Sequence, residues 1–107
     1  MEKIKTEGFS AKDEFNAANS TPIKVAKNSV ITITDIMVKD KMADDDGKVE
    51  TVGYLKAEDG TIYATISATV IEQLIPLMDI LKEGPQNLLV VPKTSGAGRE
   101  YFMLELQ

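Results

Sequence analysis

The sequence predicts a small, mainly β domain: a barrel of five strands with one helix between the third and fourth. Three observations carry this. Five stretches show the residue pattern of strands, most of them alternating apolar and polar. Turn signals separate them, among them Asp46-Gly47, Glu58-Asp59-Gly60 and Glu83-Gly84-Pro85. Between the third and fourth stretches, apolar residues instead recur at helical spacing.

Residues 1–28 are the least regular and read as an N-terminal arm. Ser10-Ala11-Lys12-Asp13 has capping-box spacing, with Asp in place of the preferred Glu, so a short helix is expected over Ala11 to Ala18. Asn19-Ser20-Thr21-Pro22 then breaks it. Ile23 to Ala26 reads as a short edge strand; the alternative is a mobile arm throughout.

The domain proper is expected over 29–107. Ser29 to Met42 is a long strand with a defect. Ile31 and Ile33 share one parity, Ile36 and Val38 the other, so the phase slips at Thr34-Asp35 and a bulge must absorb it. A polar loop from Met42 to Lys48 leads to the second strand, Val49 to Ala57. Glu58-Asp59-Gly60 closes a hairpin into the third, Thr61 to Ser67. The helix follows, with Thr69-Val70-Ile71-Glu72 as its capping box and Ile71, Leu74, Ile75, Met78 and Leu81 as its apolar stripe. Pro76 is expected to kink or shorten it, and Gly84 to end it. Asn87 to Pro92 is the fourth strand, Lys93 to Gly98 a flexible loop, and Arg99 to Gln107 the fifth strand. This element order is that of the OB-fold, a five-stranded Greek-key barrel.

Composition removes several functions. The chain has no cysteine, so disulfides and thiolate chemistry are out, and no histidine, the commonest general base and metal ligand. No acid–base constellation stands out, so the chain is not expected to be an enzyme or to need a cofactor. Asp44-Asp45-Asp46-Gly47 fails as an EF-hand: with Gly47 at loop position six, Gly53 falls where the last carboxylate belongs. Lys93-Thr94-Ser95-Gly96-Ala97-Gly98-Arg99 matches no nucleotide-binding motif, and it joins two strands. Neither a secretory signal nor a membrane-spanning apolar run is visible, so a soluble, cytoplasmic protein is expected.

The tyrosines point to a different function. Tyr54 shares parity with Lys56, Tyr63 with Thr65, and Tyr101 with Arg99, while Leu55, Ile62, Ile66, Phe102 and Leu104 take the opposite parity. All three tyrosines are thus expected on one polar, partly basic sheet face, the arrangement on which single-stranded nucleic acid stacks. Lys56 and Arg99 would contact phosphates, with Lys41, Lys48 and Lys93 at the rims and Lys39 nearby. Two observations weigh against it. Tyrosine is amphipathic and often lies half exposed with no role. The net charge is −5, which opposes tight ionic binding and predicts a shallow salt dependence. The competing reading is a protein–protein or assembly module without nucleic-acid binding.

From Ser29 to Gln107 the chain resembles the small OB-fold single-stranded DNA-binding proteins encoded by bacteriophages of Gram-positive hosts. The resemblance rests on element order, on Tyr63-Ala64-Thr65-Ile66-Ser67 leading into the helix, and on the ending Gly98-Arg99-Glu100-Tyr101-Phe102. It implies sequence-tolerant binding of single-stranded DNA in replication or recombination, in the host cytoplasm. It also implies a dimer or higher homo-oligomer, and partners among replication or recombination proteins. Many such proteins end in an acidic tail; this sequence ends in a strand at Leu106-Gln107.

Overall fold

The longest strand organises the fold through its change of phase. The computed structural model describes residues 4–42 and 49–107, the side chains of Lys41, Met42 and Val49 excepted. In chain order the elements are β1 (Ile4–Lys5), α1 (Ala11–Asn16), β2 (Thr21–Pro22), β3 (Val30–Met42), β4 (Val49–Ala57), β5 (Ile62–Thr65), α2 (Ala68–Ile80), β6 (Gln86–Thr94) and β7 (Glu100–Leu106). In β3, Ile31 and Ile33 lie before the slip and Ile36 and Val38 after it, yet all four enter the same core. The pairing of β3 with β4 shifts register between Ile33 and Asp35, as the phase slip requires. One long strand thereby serves two neighbours: its first part pairs with β6, from Val30↔Leu89 to Ile33↔Gln86, and its second part with β4.

The result is mainly β: one curled sheet with two helices, compatible with an OB-like fold. Two details differ from expectation. Among the described residues the sheet has seven strands, in the order β2-β5-β4-β3-β6-β7 with β1 beside β3. The helix α2 accordingly falls between the fifth and sixth strands of the chain. The additions are β1, which pairs antiparallel with Met37 and Val38, and β2, which pairs parallel with Tyr63 and Ala64. Ile23–Ala26, expected as an edge strand, is a 3-10 turn instead, and it tucks Ile23 and Ala26 into the core.

Among the described residues no ladder joins β5 to β7, so the sheet curls without closing. Helix α2 fills that side, burying Val70, Ile71, Leu74 and Leu77. Gly53 permits the approach: a Cβ there would stand 2.6 Å from Leu74 Cδ1. The amide of Gln73 takes the place of a neighbouring strand. Its Nε2 donates to the Leu104 carbonyl at 2.9 Å, and its Oε1 accepts from the Leu104 N–H at 2.8 Å. The helix starts two residues before the expected box, with Ser67 as its cap; the Ser67 hydroxyl accepts from the Val70 N–H at 3.4 Å. Pro76 lies within the continuous helix on its exposed side. No helix among the described residues is long and apolar enough to cross a membrane.

Candidate nucleic-acid interface

Hairpin register decides which side chains share a face. Between β4 and β5 the loop is Glu58-Asp59-Gly60-Thr61, closed by the Ala57 N–H donating to the Thr61 carbonyl at 2.8 Å. Gly60 takes φ +92, the left-handed residue that such a loop needs. This sets Leu55 opposite Tyr63 and Tyr54 opposite Ala64. Partners share a face, so Tyr54 and Tyr63 lie on opposite faces of the sheet. The expectation that all three tyrosines share one outer face is therefore corrected: the expected loop itself sets Tyr54 opposite Ala64, and parity within one strand does not carry across to the next.

Tyr63 packs against the main core and lines a cleft with Val25, Val30, Thr32 and Glu58. Thr65 is buried, and its hydroxyl accepts the Ser67 N–H at 3.0 Å, supporting the start of α2. Tyr54 does sit outside the main core, with Met37, Val52 and Ile62, but this face is covered. Residues of the N-terminal segment lie over it: Phe9 is fully buried there and Ala17 nearly so, leaving Tyr54 only 7% exposed. That burial raises the Tyr54 phenol above its ordinary pKa, because a phenolate would lose its water. Lys39 Nζ stands 5.5 Å from the centre of the Tyr54 ring.

Two ion pairs lie on this face. Asp13, on α1, accepts from Lys56 Nζ at 3.0 Å, and Glu14 from Lys5 Nζ at 2.9 Å. Asp13 also accepts from the Ser10 N–H at 3.0 Å and, through its own N–H, donates to the Ser10 hydroxyl, completing the capping box. Burial pushes the Asp13 carboxyl up, but the Ser10 N–H, the Lys56 ammonium and the Ser10 hydroxyl outweigh it and hold the group below its ordinary value. Gly8 lets this segment lie on β3, where a Cβ would collide with the Asp35 carboxylate. Thr6 finishes the contact. Its hydroxyl donates to Asp35 at 3.0 Å and accepts the Ile36 N–H at 3.1 Å.

A second group lies at the other end of the molecule. Lys93 and Tyr101 are direct cross-strand partners on β6 and β7, and Val91↔Met103 continues the row. Phe102 and Leu104 turn to the core, so Tyr101 and Met103 face outward. Arg99, in the connecting hairpin, is exposed, as is Lys93; among the described residues no carboxylate ion-pairs with either. Because β6 runs past the start of β3, this group sits beyond Val30, whereas Tyr54 sits beside Met37.

Of the residues read from sequence, the structure brings together Tyr54 with Lys56, and Tyr101 with Lys93 and Arg99. It separates these two sets, and it turns Tyr63 and Thr65 away from both. Lys48, the side chain of Lys41 and the acidic turn Asp44–Asp46 lie outside the described residues. Sequence reasoning missed Phe9, Asp13 and Lys5 as partners of this face. A signal existed: Phe9 is a lone aromatic just ahead of a capping box, where an apolar residue docks the incoming chain.

An open-sided, OB-like sheet is a build found among nucleic-acid-binding modules. Comparison with protein families makes this specific. The model of the Phi29-type family described as phage single-stranded DNA-binding protein matches residues 4–107, and the chain belongs to that family. The match takes in β1, α1 and β2 as well as the sheet. Among curated proteins and solved structures, none matches the chain.

Proposed function

We propose that the protein binds single-stranded DNA without strict sequence preference, in phage DNA replication or recombination. The observation that carries this is the family match over residues 4–107. The arrangement of side chains supports a division of labour. Tyr101 stacks a base while Lys93 and Arg99 meet its phosphates, since these three are accessible and unopposed. Tyr54, Lys56 and Lys39 form a second stacking group on β3 and β4, flanked by Lys41 and Lys48. Tyr63 and Thr65 have a smaller share, as their side of the sheet faces the main core.

In the same reading residues 29–107 are the OB-type body, an open curled sheet built from β3 to β7, and residues 1–28 an arm whose described part lies across it. A homo-oligomer, at its simplest a dimer, would cover the outward row of Val30, Leu89, Val91 and Met103, of which Val30 is 54% exposed. Sedimentation at micromolar concentration checks this; a monomer at all concentrations removes it. Replication or recombination proteins acting on the same strand, in the host cytoplasm, are the expected partners.

Intrinsic fluorescence tests the function directly. The chain has three tyrosines and no tryptophan, so the signal comes from the residues in question. Titration with an oligo-thymidine strand should quench it saturably, with weaker binding at higher salt. An unchanged signal at micromolar protein and DNA, with no retardation of the strand in a gel, would refute the proposal.

A further inference from the structure

We propose that residues 9–17 occupy the outer face of β3, β4 and β5 as a stand-in for single-stranded DNA, and that DNA displaces them to reach Tyr54, Lys39 and Lys56. The inference rests on the function proposed above and adds how one of its two contact groups is controlled.

The chemistry of the contact is that of a nucleotide strand. Phe9 contributes a flat ring, fully buried with Met37, Val52, Tyr54 and Ile62. Asp13 and Glu14 contribute anions, one on Lys56 at 3.0 Å and one on Lys5 at 2.9 Å. A base and its phosphates would make the same two kinds of contact: a ring on the aromatic platform, and negative charge on the cations around it.

The segment is also held in a way that permits exchange. Its main chain is tied to the sheet only at its two ends. On one side β1 pairs with β3, and the Thr6 N–H donates to the Ile36 carbonyl at 2.9 Å. On the other, Thr21 and Pro22 pair with β5. Between them, among the described residues, backbone hydrogen bonds stay within the segment, such as Glu14 N–H to the Ser10 carbonyl at 3.0 Å. Among the described residues, the middle meets the sheet through side chains: Phe9, Ala17 and two ion pairs. Helix α1 has six residues, too few to persist once lifted off. The segment is a flap hinged at both ends, not a strand of the sheet.

Hydrogen exchange on the unaltered chain, with and without an oligo-thymidine strand, tests displacement. Amides of residues 11–19 should lose protection on binding while those of β4 gain it. Binding with protection of 11–19 kept or increased overturns the inference and leaves the proposed function standing; no binding at all removes both. A pair of charge variants gives a second readout. Asp13→Asn removes a carboxylate from the face and Glu72→Gln removes one from the exposed side of α2, so both change net charge equally. Asp13→Asn should tighten binding about fivefold, the scale of one part-exposed ion pair, and Glu72→Gln should have little effect. Equal gains from both, or weaker binding by Asp13→Asn, would show a structural contact and not a competing one.

Discussion

The two aromatic–cation groups of this sheet are alike in composition and opposite in state. Around Tyr54, Lys56 and Lys5 are paired with carboxylates, Lys39 stands over the ring and the ring is hidden; around Tyr101 no described carboxylate ion-pairs with Lys93 or Arg99, and the ring is partly exposed. The strands themselves are not the cause, since both groups sit on outward positions of antiparallel pairs. The difference comes from a segment remote in sequence, placed over one group and not the other. Exposure of a strand residue is therefore a property of what covers the sheet as much as of its parity.

Alanine substitution at each tyrosine separates the two states most sharply. Tyr54→Ala should cost about 3 kcal/mol in urea unfolding, as expected for a large buried ring. A loss within experimental error would mean that the N-terminal segment does not bury it in solution. Tyr101→Ala should leave unfolding nearly unchanged and weaken oligo-thymidine binding by about 2 kcal/mol, roughly thirtyfold. If affinity holds while the strand still binds, the open group is not the contact. Gln73→Ala tests how the open hairpin is anchored. Losing both bonds to Leu104 should cost about 1.5 kcal/mol, with increased hydrogen exchange confined to β7 and the end of β6. Uniform loss of protection across the sheet would argue against a local clasp.

Acid should act on the covered group, with a smaller effect. The Asp13 carboxyl is held low, so its contribution is complete above its unfolded pKa of about 3.9 and disappears as pH falls through its folded value. Acrylamide access to tyrosine should thus be constant from neutral pH to about 5 and rise below about 4. Asp13→Asn should abolish that rise; if it persists unchanged, the acid-sensitive contact lies elsewhere. Tyr54 has the opposite sign. Its phenol is raised by burial, so its contribution is present below about pH 10 and lost as pH climbs through the folded value.

Much of the body was legible because its signals are local. The parity change between Ile33 and Ile36 announced the bulge; Glu83-Gly84-Pro85 ends the 3-10 turn Leu81–Glu83 that follows α2, whose own last residue is Ile80. Register was not local. Which face Tyr54 and Tyr63 take relative to each other follows only from pairing Ala57 with Thr61 across the loop, a step that parity within single strands does not make. The helix is capped by Ser67 and not by the expected Thr69, because β5 stops at Thr65 and leaves Ser67 outside the strand. The sequence places a strand boundary at Pro92, yet β6 continues to Thr94. There Phe102 is its partner on one side, and β3 has not begun on the other, so no N–H is missed. The least legible feature was the cover. Phe9 and Asp13 find their partners far along the chain, and nothing in the alternation of residues 1–28 indicates a sheet beneath them.

One strand joining two systems also orders events in time. Strands β3, β4 and β5 follow one another and pair across short connections, whereas β3 meets β6 only by bringing Val30 back to Leu89. Closing that longer span costs more chain entropy, and such distant pairings govern folding speed. The meander should assemble first, and the β6–β7 hairpin should dock late onto an edge already formed. In stopped-flow refolding, Leu88→Ala would then chiefly accelerate unfolding, and Leu55→Ala would slow folding. During synthesis, the half that carries Tyr54 would stand complete while the half that carries Tyr101 is still emerging from the ribosome.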